Sequence, residues 1–151
     1  MNSKAILIVS GEPNSIFLEI FFKVLSTKKI KNPLILITSE TLLKLQMKKL
    51  GFKKNVRLIK SKNIDRLKLD NKLINLINVN YNNINTFEKI TSKSNLFIQN
   101  SFNTAFEILK LNNIKKFING PISKKNFFNK KFLGITEYIS KSFSKKKTCM
   151  L

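Results

Sequence analysis

The chain has 151 residues, of which 29 are Lys or Arg and 8 are Asp or Glu, for a formal charge of +21. That length suits one ordinary domain, and 42% hydrophobic with 25% charged residues excludes wholesale disorder and fibrous repeats. With no histidine and a single cysteine, Cys149, the chain can build neither an internal disulfide nor a His-dependent zinc site or catalytic triad.

No apolar run approaches the ~20 residues of a membrane span, and the N-terminus lacks a basic segment followed by an apolar stretch. A cytoplasmic protein with no membrane partner is therefore expected. The charge points first to nucleic acid, since any such excess attracts phosphate backbones at low salt. Only Arg57 and Arg66 are arginines, however, and the other 27 basic residues are lysines, point charges rather than the planar forks that read bases and phosphates. Lys, Asn, Ile and Phe together make 80 of the 151 residues, four types with A- and T-rich codons, so composition bias accounts for the lysines more simply. A basic nucleic-acid-binding module remains the lesser alternative. Lys145-Lys146-Lys147 is the densest basic run and is expected in a loop.

Ala5 to Val9 is a continuous apolar run stopped by Ser10-Gly11-Glu12-Pro13, the pattern of a strand buried on both faces. Asn14 or Ser15 is placed to cap a following helix, in which Ile16, Ile20 and Val24 recur at helical spacing. Leu34 to Ile37 predicts a second strand. Ser39 then caps a helix with Leu43, Met47 and Leu50 on one face, and Gly51 supplies a left-handed stop. Val56 to Ile59 and Leu73 to Val79 read as further strands, with polar connections around them that fix no element. A longer helix is expected from Asn95 to Leu111, because Ile98, Phe102, Ala105 and Leu109 share a face. Phe117-Ile118 is a strand ending at Asn119-Gly120-Pro121. Ile122 to Asn129 predicts a start of helix, Gly134 a break, and Thr136 the cap of a short helix carrying Tyr138, Ile139 and Phe143. Thr148-Cys149-Met150-Leu151 reads as the opening of another strand, with Cys149 a small buried side chain. Such alternation predicts an α/β fold with a mostly parallel sheet between helices, an α/β/α layering.

Three segments carry a resemblance. Ile8 to Ile16, with Gly11-Glu12-Pro13 at its centre, resembles the opening Gly-Glu-Pro segment of the 4-hydroxythreonine-4-phosphate dehydrogenase family of pyridoxal phosphate biosynthesis. Asn119-Gly120-Pro121-Ile122-Ser123-Lys124 resembles that family's Gly-Pro-Ile-Asn-Lys loop, and Gly134-Ile135-Thr136-Glu137-Tyr138 its Gly-His-Thr-Glu-Phe segment. Their order and spacing agree with the family as well.

The resemblance implies a fold of the isocitrate and isopropylmalate dehydrogenase type, here incomplete, with residues 1–120 in a first domain and 121–151 opening a second. It implies a cytoplasmic, homodimeric oxidoreductase that oxidises a phosphorylated hydroxy amino acid with NAD and a divalent metal, then decarboxylates it. Of the family's substrate-binding pair, Thr136 carries over while Ile135 replaces the histidine; Lys124 is a further candidate for the substrate's phosphate. Ser15, Phe17 and Leu18 stand where the family usually has Gly, Gly and Pro. The metal ligands and the remaining substrate-binding residues have no counterpart in these 151 residues, so no catalytic or metal-binding residue and no cofactor-binding residue is assigned. The expectation is an amino-terminal portion inactive alone, with a degenerate, non-catalytic remnant as the alternative.

Overall fold

The structure, a computed structural model, describes residues 4–82, 87–111, 114–128 and 132–143. The expectations for Lys145-Lys146-Lys147 and for the run 148–151 with Cys149 lie outside the described residues. Five strands, β1 (Ile6–Val9), β2 (Leu34–Thr38), β3 (Val56–Leu58), β4 (Ile74–Asn78) and β5 (Lys116–Asn119), form a sheet in the order β3-β4-β2-β1-β5. Every pairing is parallel, with Leu7 opposite both Ile35 and Phe117, and Ile37 opposite Ile77. Among the described residues four α-helices accompany them: α1 (Phe17–Thr27), α2 (Glu40–Lys49), α3 (Asn95–Leu111) and α4 (Ile135–Phe143).

The continuous apolar runs are explained by what lies on each face. Ile8, Leu34, Leu36, Ile74 and Leu76 pack under α1 and α2 with Leu18, Phe22 and Leu43. Their strand neighbours Leu7, Val9, Ile35, Ile37 and Ile77 pack on the other side with Ile98, Phe102 and Ala105 of α3. Since side chains alternate along a strand, both sets must be apolar when both faces are covered. Asn75 is the polar exception inside β4, and its amide donates to Leu34 O and Asp70 O while its oxygen accepts from Arg57 Nε, so no buried polar atom of it is stranded.

Several expectations need correction. The Ile16, Ile20 and Val24 stripe of α1 faces outward, 62%, 49% and 38% exposed, while Leu18, Phe21 and Phe22 are buried. Burying two phenylalanine rings, each with ~150–250 Å² of surface, outweighs burying the β-branched stripe, and Phe22 stacks on Phe52 with ring centroids 4.6 Å apart. No side chain caps α1, although Ser15 Oγ accepts the Phe17 N–H. Ser39 does cap α2, accepting from Leu42 N, and Gly51 follows it at φ +65°. Leu50, by contrast, leaves the apolar face of α2 and is 38% exposed. The expected helix at 122–129 shrinks to one wide turn, Lys124–Phe128. Thr136 is not a cap, because α4 starts at Ile135 and Tyr138 N already donates to Gly134 O. Glu137 holds that helix start instead, accepting the Leu133 N–H at 2.6 Å.

Candidate functional site

In an open parallel sheet, ligands settle at the carboxyl ends of the strands, at the point where neighbouring strands send their connections to opposite faces. Here that point falls between β1 and β5. The β1 turn runs to α1 on one face, whereas Ile122, Phe127 and Ile135 after β5 pack on the α3 face.

Two of the sequence segments meet at this point. Gly120 N donates to Val9 O at 2.7 Å and Glu12 N donates to Pro121 O at 2.8 Å. The backbones approach so closely that a Cβ on Gly11 would stand 2.4 Å from Pro121 O, and one on Gly120 would stand 2.0 Å from Ser10 O. Gly11 also sits at φ +72°, in the left-handed region where glycine carries no steric penalty. Gly11 therefore leaves room for the Gly120-Pro121 backbone, and Gly120 for that of Ser10. Ser10 Oγ donates to Thr38 Oγ1 at 2.9 Å and Gln46 Nε2 donates to Pro13 O at 3.0 Å, tying the same turn to β2 and α2.

The third segment lies against the second. The Lys124 side chain passes over Gly134, its Cε 4.0 Å from where a Cβ would be, and Lys124 itself is exposed. Thr136 is half-buried one turn further on, and Ile135 packs against the α3-side core. Tyr138 anchors α4 by inserting among Phe102, Phe127, Phe128 and Phe132, with centroids 5.3–5.8 Å away. Burial there pushes its phenol above the ordinary tyrosine value. Lys124 thus lies beside Gly134 at the start of α4, and Ile135 packs against the α3-side core. A cleft of about 440 Å³ opens on the same edge between Asn80–Asn82 and the first turns of α3, near Lys93 and Asn100.

Sequence reasoning singled out the Gly11-Glu12-Pro13 turn but not what Glu12 does within it. Glu12 is only 2% exposed, and neither carboxylate oxygen has a hydrogen-bond partner. Burial raises its pKa; the Ser94 hydroxyl and the Asn14 backbone N–H oppose that rise in part. Ser94, the residue before α3, is itself 2% exposed and received no attention in the sequence, because a serine before a helix is ordinary.

The groups implied by the resemblance do not fit these residues. There is no histidine in the chain, and among the described residues no group of three or more His, Cys, Asp or Glu side chains could hold a divalent metal. A dinucleotide's pyrophosphate needs glycine backbone left open, yet at this turn the space beside Gly11 is filled by the Gly120-Pro121 backbone and that beside Gly120 by the Ser10 backbone and the Phe17 ring.

Comparison with solved structures places the fold. The 4-hydroxythreonine-4-phosphate dehydrogenase of Burkholderia phymatum superposes with a TM-score of 0.79 at 16% identity, covering 92% of this chain and 43% of that one. The Klebsiella pneumoniae enzyme of the same name superposes with a TM-score of 0.78 at 15% identity, covering 92% of this chain and 44% of its own. The chain thus spans less than half the length of the structures it matches. No curated protein matches it in sequence. The sequence model of one family matches residues 29–151, from the end of α1 through the Gly120 and Gly134 segments, and on that match the chain belongs to the family of the pyridoxal phosphate biosynthetic protein PdxA.

Proposed function

We propose that this chain is the amino-terminal α/β portion of a 4-hydroxythreonine-4-phosphate dehydrogenase, built on the isocitrate and isopropylmalate dehydrogenase type of fold. In that reading residues 1–120 belong to a first domain and 121–151 open a second. The complete protein is a cytoplasmic homodimer that oxidises a phosphorylated hydroxy amino acid with NAD before decarboxylation. The observation that carries the reading is the Gly11–Gly120 junction at the carboxyl edge, where two separated segments of the family pattern close on each other. Lys124 steers the substrate's phosphate as a mobile cation, and the Thr136 hydroxyl bonds a substrate oxygen. Metal and cofactor are held by other polypeptide, since this chain's residues do not fit them. Its own share is to shape one wall of the crevice.

A second reading, a non-catalytic remnant that keeps the fold, is favoured by Ile135, which takes the place of a hydrogen-bonding histidine and packs into the apolar core. Leaving a substrate group without that partner costs about 1–3 kcal/mol. Joining residues 1–151 to the remainder of the Klebsiella enzyme and following NAD reduction separates the two readings. The first expects turnover by the chimera, none by the isolated chain, and a rise in kcat/KM with Ile135→His. A chimera that folds and dimerises but reduces no NAD, with or without Ile135→His, overturns it in favour of the remnant.

A further inference from the structure

All-parallel sheets occur almost only with both faces covered, and here the cover is uneven at β5. On the α3 side it reaches this outermost strand, since the Phe117 ring meets Phe102 of α3 edge-on with centroids 6.1 Å apart. On the opposite side the layer is α1 and α2, whose core takes in Ile8, Leu36 and Leu76 from β1, β2 and β4 but no described residue of β5. Ile118 stands opposite Ile8 in the register and so points to that side, where it is 48% exposed.

The flank of α1 nearest to it is apolar as well. Phe22 stacks on Phe52, just beyond α2, so α2 lies along the Phe22 flank. Phe17 marks the other flank, because a Cβ on Gly120, the residue after β5, would stand 2.9 Å from its Cγ. Ile20 and Val24 follow Phe17 by three and seven residues and share its side of the helix. Neither they nor Ile118 belong to either core. A groove therefore runs between α1 and β5, with Ile20 and Val24 on its wall and Ile118 on its floor. Its branched aliphatic lining disfavours the polyanion that a charge of +21 suggests, and Lys116, on the same face as Ile118, rims it at the amino end. Beyond β5 the sheet has no further strand among the described residues.

On the reading that the chain is the amino-terminal portion of a longer protein, we infer that this groove seats an amphipathic helix of the polypeptide that completes it. The helix packs its apolar face on Ile20, Val24 and Ile118 as the third member of the α1 layer. Neighbouring helices pack ~8–10 Å apart, about two strand spacings, so the next one after α1 falls over β5 and its open edge. Length supplies the occupant. The chain aligns over 92% of itself but over only 43% and 44% of the matched structures, so more than half of such a protein has no counterpart in it. A second copy fits less well, because two chains of +21 each repel.

Ile20→Cys reads the groove directly. In the dilute isolated chain the thiol at position 20 is expected to react with a maleimide as an exposed cysteine does. In the chimera with the remainder of the Klebsiella enzyme it is expected to react at least about tenfold more slowly, followed at that residue by peptide mass spectrometry. Ile20→Lys combined with Val24→Lys gives the second readout. The melting temperature of the isolated chain should stay within about 2 °C, while that of the chimera falls by about 5 °C or more, because two charges then lie under the helix. Neither measurement needs turnover, so a chimera that protects position 20 yet reduces no NAD counts against the catalytic reading and not against this one. A thiol equally reactive in both proteins, or equal shifts of melting temperature in both, overturns the inference. So does a thiol already slow in the dilute isolated chain, and protection there that grows with concentration assigns the groove to a second copy instead.

Discussion

Replacing Gly120 with alanine isolates the contact on which the site depends. The new Cβ would lie 2.0 Å from Ser10 O, 2.6 Å from Ser10 C and 2.9 Å from Phe17 Cγ. Ordinary van der Waals contact begins at 3.4 Å, so the two turns must separate by about 1.4 Å or twist by an equivalent amount. The atoms in the way are backbone of β1's own turn, which rotamer changes cannot move. Separation on that scale breaks the hydrogen bonds from Gly120 N to Val9 O and from Glu12 N to Pro121 O, worth about 1 kcal/mol each. Overpacking adds about 1–3 kcal/mol. The sum is about 3–5 kcal/mol, or a fall in melting temperature of roughly 6–20 °C for a domain of this size. Gly51→Ala is the matched control, with φ at +65° and nothing within 4 Å of the added carbon. It carries only the left-handed penalty, ~1–2 kcal/mol, and a fall of about 2–8 °C. Thermal melts of the two variants, with hydrogen exchange at the Glu12 and Gly120 amides, provide the readout. If Gly120→Ala melts with or above Gly51→Ala, or leaves both amides as protected as in the wild type, the junction is not the tight contact described.

Two further outcomes follow from the packing. Ile20→Lys on the exposed stripe of α1 is expected to change stability by less than about 0.5 kcal/mol, whereas Phe21→Ala, 6% exposed, should cost about 3–5 kcal/mol; chemical denaturation of both shows which face of α1 meets the sheet. In an ultraviolet titration, the phenol of Tyr138 is expected to ionise above its ordinary value of 10.0, because burial disfavours the phenolate. Its folded pKa being raised, the contribution to stability is whole below pH 10 and is lost as pH climbs through the folded value. A Tyr138→Phe variant should remove that late-titrating phenol from the absorbance curve, and an unchanged curve would contradict the aromatic packing around α4.

Where the fold was legible, the sequence carried a signal that only one structure satisfies. Runs such as Ala5–Val9 and Leu34–Ile37 are apolar on both faces of a strand, which requires layers on both sides, and α3 spans Asn95–Leu111 as its periodicity requires. The misreadings came where two apolar faces competed. In α1, Ile16, Ile20 and Val24 make as regular a stripe as Leu18, Phe21 and Phe22, and only the volume available under the sheet decides between them. The segment after Pro121 failed differently. The run from Ile122 to Asn129 read as a helix start, but Phe127 and Phe128 pack on the Tyr138 ring, a contact from a later element, and the segment forms a single wide turn over Lys124–Phe128.

The candidate site was legible as residues and not as an arrangement. Gly11 and Gly120 stand 109 positions apart in the chain, and nothing local to either says that Gly11 leaves room for the Gly120-Pro121 backbone and Gly120 for that of Ser10. Glu12 looked like a turn residue, since a glutamate between glycine and proline is polar in a place where polarity is ordinary. Its burial arises from three elements converging: β5 through Pro121, α2 through Gln46 and the approach to α3 through Ser94. The departures from the family pattern follow the same logic. Phe17 and Ile135 put apolar bulk beside the Gly120 contact and into the α3-side core, where each strengthens packing. Both changes consolidate the carboxyl edge at the expense of the open backbone and hydrogen-bonding groups that a bound ligand would need. Tight packing and access for a ligand therefore make opposite demands on the same few residues, which is why the melt of Gly120→Ala and the turnover of Ile135→His in the chimera measure different properties of one edge.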